Sequence, residues 1–309
     1  MINERENALR ILRHEGAAWL PCACDSLQFV NVSPAVESMK FGEDWFGVKW
    51  YDQIPDPKEL LLDSFDDWEK IIKFPDLDAL DWSGAAEIDC ADLDRENKIV
   101  ATKSMAFLLE RVAAFAGIGE TMIAFYTNPE ELKALFSELT EFRLKQIDKM
   151  VQYYNPDYMM FHDDYGTQTG LFMSPDTWRE FIKPYLKKLI DRVHEHGKFF
   201  CMHSCGKIDD IVGDLVELGV DLWDSVQPCN DYDSIFAKYG DKLAFMPTFD
   251  LQKYYFPDPE GIVASLHSLV DALGGKGLLY PRETSSLLHP DNKEAVLKEI
   301  RRIGIESVT

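Results

Sequence analysis

The sequence predicts an α/β protein, specifically a TIM (β/α)8 barrel with an N-terminal extension and inserted loops. Three observations carry that expectation. From residue 98 onward, short apolar runs alternate with amphipathic stretches of helical length. Several of those stretches close on Gly, as helices do. No Gly-rich phosphate loop follows any of the apolar runs, which favours a barrel over a doubly wound sheet. The 309 residues read as one domain. Residues 1–97 form an N-terminal segment with the first strand and insertions, and 98–309 carry the main βα repeats.

The elements follow in order. MINERENALRILRHEG at the start is a charged amphipathic helix rather than a secretory signal. A strand is expected at AAWLPCAC (17–24). Aromatic turns (DWFGVKWYDQ, 44–53) and an acidic stretch (76–96) read as insertions packed on the barrel. KIVAT (98–102) leads into SMAFLLERVAAFAG, and GETMIAFYT (119–127) is the weakest strand expectation. DYMMFHDD (157–164) leads into a helix capped by Ser174 with Pro175 at its first position. KFFCMHSC (198–205), DLWDSVQP (221–228), KLAFMPTFD (242–250) and GLLYPRE (277–283) are each followed by a helical pattern.

Composition narrows the function. Hydrophobic residues at 46% supply a sizeable core, and 12% aromatics suit a cavity with flat walls. A net charge of −22 repels phosphate backbones and anionic membranes, which argues against nucleic acid and membrane partners. No apolar run approaches the ~18–20 residues of a membrane span. Six cysteines in a chain this long do not make a disulfide scaffold, so a reducing, cytoplasmic setting with free thiols is expected.

In an α/β barrel the strand C-termini build the active site. Here they end in Cys22 and Cys24, in Asp163, Asp164 and Tyr165, in His203 and Cys205, in Gln227, Cys229 and Asn230, in Asp250, and in Arg282 and Glu283. On a strand, i and i+2 face the same way, so His203 and Cys205 project together. An imidazole and a thiolate suit Zn²⁺, whose catalytic sites use three protein ligands and an open position. Glu283 is the first choice for the third ligand and Cys229 the alternative. Cys201 shares their parity but lies deeper, as core. Cys22 and Cys24 read as packing or as lining the pocket, His162 and His289 as structural, and His194 and His196 as surface residues at a helix C-terminus. Arg282 suits an anionic substrate group or pairing with Asp250.

HSCGKIDDIVGDLVELGVDLWDSVQP (203–228) and HDDYGTQTGLFMSPDTWREFIKPYLKKLIDRVHEHG (162–197) resemble the uroporphyrinogen decarboxylase superfamily. The resemblance covers about residues 98–305 and implies a TIM barrel. True decarboxylases of that superfamily carry an Arg-Gln-Ala-Gly-Arg-Tyr stretch after the first strand, where this chain reads PCACDSLQF without arginine. The corrinoid-dependent methyltransferase branch binds zinc through His-x-Cys, matched by His203 and Cys205, and a later Cys, whose place Glu283 takes in YPRE. That substitution makes the zinc a stronger Lewis acid, suited to an oxygen substrate. The resemblance therefore implies the methyltransferase I component of an O-demethylase. Such an enzyme moves a methyl group from a small aromatic methyl ether to the cobalt(I) of a separate corrinoid protein. Asp163 or Asp164 would protonate the departing oxygen. Trp45, Phe46, Trp50 and Tyr165 would stack on the ring, with Gln168, Gln227 and Arg282 completing substrate binding. The chain lacks an Asp-x-His-x-x-Gly cobalamin signature, so a corrinoid would come from a partner. The alternatives are a methylcobamide:thiol methyltransferase and a tetrapyrrole-binding or corrinoid-protein-docking barrel without catalysis. A homodimer is compatible with the sequence.

Overall fold

The computed structural model describes residues 2–37, 41–51, 54–250, 252–277 and 288–306. Helix α1 (Glu4–Leu12) is capped by Asn3, whose side chain accepts from the Glu6 N–H. A helical turn α2 (Ala23–Ser26) runs directly into strand β1 (Leu27–Phe29). Three short strands follow, β2 (Phe41–Glu43), β3 (Lys49–Tyr51) and β4 (Ile54–Pro55), pairing antiparallel in the order β2-β3-β4. Helices α3 (Trp68–Ile71) and α4 (Trp82–Asp89) lead to β5 (Ile99–Ser104). Then come α5 (Leu109–Ala116), α6 (Ile118–Thr127) and the long α7 (Pro129–Tyr154). Strand β6 (Tyr158–His162) precedes α8 (Pro175–Phe181) and α9 (Lys183–Glu195). Strand β7 (Phe199–His203), α10 (Val212–Leu218), β8 (Leu222–Val226), α11 (Tyr232–Tyr239), β9 (Ala244–Pro247), α12 (Pro259–Leu273) and α13 (Pro290–Glu306) complete the order.

Six strands form one parallel sheet in the order β1-β5-β6-β7-β8-β9, with Gly277 bridging to Phe245 of β9 in the same sense. The architecture is mixed α/β with a parallel half-barrel. The last predicted strand, 277–283, continues past Gly277 outside the described residues, and Arg282 and Glu283 lie there too.

Strand parity divides the core in two. Val100, Met159, Phe161, Phe200, Met202, Trp223 and Phe245 face the helical layer. Their neighbours Ile99, Ala101, Tyr158, Met160, Cys201, Leu222, Ala244 and Met246 face inward, where Ala8, Leu9, Ile11 and Leu12 of α1 cover them. Alternation along each strand puts the two sets on opposite faces. The helices bury single stripes. On α9 the stripe is Leu186, Leu189, Ile190 and Val193, each burial contributing about 1.5–3 kcal/mol. Ser174 caps α8, accepting from the Thr177 N–H, as its sequence suggested.

Two strand expectations are corrected. The first strand is not 17–24. The Asn7 side chain donates to the Trp19 carbonyl and accepts from the Ala18 N–H. Ser26 Oγ donates to the Cys22 carbonyl and folds 23–26 into a helical turn, so pairing starts at Leu27, opposite Ile99. Residues 119–127 belong to α6, where Thr121, Ala124 and Phe125 are buried at helical spacing.

Candidate metal centre

The inward rows of β6, β7 and β8 change character at their C-terminal ends. Tyr158 and Met160 are followed by His162, Cys201 by His203, and Leu222 by Asp224. Register places His162 opposite His203, and His203 opposite Asp224. The two imidazoles therefore stack, with centroids 4.1 Å apart and planes 14° from parallel. Asp224 Oδ2 lies 2.5 Å from His203 Nδ1, and both side chains are fully buried. A carboxylate on Nδ1 fixes the ring and its tautomer, and turns Nε2 toward a prospective metal. That Nε2 sits 3.5 Å from Cys205 Sγ and 3.8 Å from Asp164 Oδ1. His162, Asp164 and His203 each place a ligand atom within 4.8 Å of the others.

The loops after β6 and β7 are stitched together by backbone. Asp163 N–H donates to the His203 carbonyl at 3.0 Å, Cys205 N–H to Asp164 Oδ1 at 2.7 Å, and Lys207 N–H to the Thr167 carbonyl at 2.7 Å. Contact is closest at Gly166 and Gly206. A Cβ on Gly206, which holds φ +81°, would lie 2.2 Å from the Gly166 carbonyl carbon. Only glycine combines that left-handed backbone with that approach. On the other flank, Ser225 holds φ +69° where the β8–β9 register shifts, a bulge beside the site, and its Oγ lies 3.5 Å from Cys205 Sγ.

A cavity of about 780 Å³ opens beside the cluster. Trp50, Pro55 and Leu60 wall one side, and Met105, Ala113, Ala114 and Ile118 the other. Glu110 and His162 are its ionisable lining residues among those described, joined by a 2.8 Å contact between Glu110 Oε2 and His162 Nδ1. Burial, then the Asp164 carboxylate, pushes the Glu110 carboxyl up to about 8. Burial and then Glu110 likewise raise Asp163. Asp163 Oδ1 and Oδ2 accept the N–H groups of Glu110 and Leu109 at 2.8 and 3.0 Å, which favours its charged form.

The uroporphyrinogen decarboxylase (URO-D) family profile matches residues 108–279, more than half of the chain, across β6 to β9. The chain belongs to the uroporphyrinogen decarboxylase family. A methyltransferase from Methanosarcina mazei shares the fold at a TM-score of 0.69 with 14% identity, covering 98% of this chain and 99% of that one. A candidate vitamin-B12 independent methionine synthase from Listeria monocytogenes aligns at a TM-score of 0.44 with 14% identity, over 67% of this chain and 65% of its own. No curated protein matches the sequence.

Several predicted site residues converge in this family member. Cys205 Sγ and Asp164 Oδ1 both lie within 4 Å of His203 Nε2. Asp163 sits fully buried beneath the start of α5. Gln227 accepts from the Gly206 N–H at 3.0 Å and so holds the Cys205 loop. Cys229 lies beyond it, its carbonyl accepting from Lys207 Nζ, and neither it nor Cys205 belongs to the mutually close trio of His162, Asp164 and His203. Gln168 is exposed on the loop after β6. Tyr165 is buried edge-on to Trp178, 5.6 Å between centroids. Trp45 and Phe46 pack edge-on to Phe142, and Arg111 lies over the Phe46 ring, so both belong to the aromatic core. Of the four aromatics expected to stack on substrate, Trp50 lines the cavity. Glu283 and Arg282 fall outside the described residues.

Sequence reasoning passed over His162, Glu110 and Asp224. One signal was present. His162-Asp163-Asp164 repeats the parity of His203-Ser204-Cys205, so both strands end in an imidazole followed two residues later by a metal-competent donor.

Proposed function

We propose that this family member is a zinc-dependent methyltransferase acting on an aryl methyl ether, with the cobalt(I) of a separate corrinoid protein as methyl acceptor. The observation that carries the reading is that His203 Nε2 has Cys205 Sγ and Asp164 Oδ1 within 4 Å, beside His162, which lines an apolar cavity large enough for one aromatic ring. The donor set fits zinc. Zn–N and Zn–S bonds at a tetrahedral angle put nitrogen and sulfur about 3.6 Å apart, and Nε2 and Sγ stand at 3.5 Å. The buried Asp224 supplies the carboxylate that metal-bound imidazoles ordinarily carry. Glu283 is the sequence-based expectation for a further ligand.

Zinc bound by these residues would supply a Lewis acid for the ether oxygen. The chain's own groups account for the rest. The walls from Trp50 to Leu60 and from Ala113 to Ile118 exclude water and hold a flat ring. Glu110 delivers its proton to the departing phenolate oxygen, and His162 holds that carboxyl toward the cavity. The carbon–oxygen bond breaks with its electron pair leaving on oxygen, while cobalt donates the pair that forms the new carbon–cobalt bond. No protein nucleophile takes part. The same reading closes the half-barrel into eight strands in the cytoplasm.

Metal analysis and a methyl-acceptor assay test it together. Purified protein is expected to hold one zinc per chain and to methylate free cobalt(I) corrinoid from methoxylated phenols. Full activity without metal, or transfer to and from thiols alone, overturns it.

A further inference from the structure

Cys22 and Cys24 sit at the other end of the sheet. Leu27 pairs with Ile99, two residues before the Ala101–Tyr158 level, and His162 lies four residues after it. Six residues of strand rise put roughly 20 Å between Leu27 and the metal-binding level, and Cys22 and Cys24 precede Leu27. This pair belongs to neither the cavity nor the donor cluster.

The local fold forces the two sulfurs together. Cys22 is extended, with φ −104° and ψ 126°, and its carbonyl accepts from the Asp25 and Ser26 N–H groups and from Ser26 Oγ. That turn swings Cys24 back over Cys22 until the sulfurs lie 2.7 Å apart, closer than two unbonded sulfurs rest. Their exposures differ sharply. Cys22 is 4% exposed, whereas Cys24 is open to solvent. The contact between the two sulfurs lowers the Cys24 thiol below its ordinary value, and the same contact together with burial raises that of Cys22.

We propose that Cys22 and Cys24 form a reversible redox dithiol, oxidised by a low-molecular-weight disulfide such as oxidised glutathione. Cys24 thiolate attacks one sulfur of the small disulfide, forms a mixed disulfide and expels one small thiolate. Cys22 then gives up its proton and attacks the Cys24 sulfur, expelling the second small thiolate. Two protein thiols are oxidised and one small disulfide is reduced to two thiols, so electrons and protons balance. The ring closed across one intervening residue constrains little chain, so such a bond is readily reduced again.

Trypsin cutting after Arg13 and Lys40 isolates both cysteines, and no others, in peptide 14–40. The full-length protein would be equilibrated in glutathione buffers of rising oxidised fraction, trapped with iodoacetamide, digested and weighed. Peptide 14–40 is expected to lose two hydrogens and both alkylation sites in a single step. Before oxidation, Cys24 should alkylate at least about tenfold faster than Cys22. Cys22→Ser should stop at a glutathione adduct on Cys24. Cys24→Ser, a change at an exposed position, should leave Cys22 without adduct or disulfide. Independent modification of the two sites, an adduct forming first on Cys22, or a pair shielded until a chelator removes bound metal would each overturn the proposal.

Discussion

Strands β6 and β7 end alike in sequence and differently in surroundings. Each carries an imidazole with a second donor two residues on, and the imidazoles stack at one level. Yet His203 is completely buried on the equally buried Asp224, while His162 keeps 14% of its side chain exposed and rests on Glu110 at the cavity wall. Position on the strand thus brings both rings to the site, and the partner on Nδ1 divides their work. Under the proposed function, a carboxylate locked in the core would fix a metal ligand, and one lining the cavity would equip a residue to meet substrate.

The sharpest break of that contrast is His203→Ala, expected to abolish bound zinc in metal analysis and to lower methyl transfer by at least about a thousandfold. Glu110→Gln comes next. It should retain zinc while kcat falls by about 10²–10⁴, the usual worth of a positioned acid. The same variant carries a pH test on metal-free protein. The folded carboxyl holds its proton above the ordinary glutamate range, so the native state binds more protons than the unfolded chain in that window. Stability should fall as pH rises toward about 8, and Glu110→Gln should flatten part of that slope in urea titrations, with Asp163 retaining the remainder. Asp224→Asn should weaken zinc affinity by about 10–100-fold in a chelator competition. His162→Ala should change zinc affinity less than Asp224→Asn and raise KM; equal losses would erase the distinction between the two strands. The smallest effect is expected of Asp163→Asn, about 1–2 kcal/mol in the urea midpoint, because an amide cannot accept both helix N–H groups as a carboxylate does.

The repeating strands were legible because β5 to β9 are largely buried on both faces and read as mostly apolar runs. The first strand was not. Its Leu-Gln-Phe is short and mixed, while the more apolar 17–24 is held irregular by Asn7 and folded by Ser26. His203 and Cys205 were legible from strand parity. Glu110 was hidden because it lies on α5, some fifty residues earlier, and reaches the site only through register and the Asp163 contact beneath that helix. Trp45 and Phe46 look like a stacking surface in sequence, but Arg111 and Phe142 enclose them, a non-local outcome that composition cannot reveal.

The touching glycines at 166 and 206 act as a caliper. Since main chain meets main chain there, how closely the loops carrying Asp164 and Cys205 approach is set largely by atoms common to every residue. Any methyl at either point pries the jaws apart, and a wider bite suits a bulkier ion such as cadmium. Choice of ion would then be written in the shape of two loops as much as in the donors they carry.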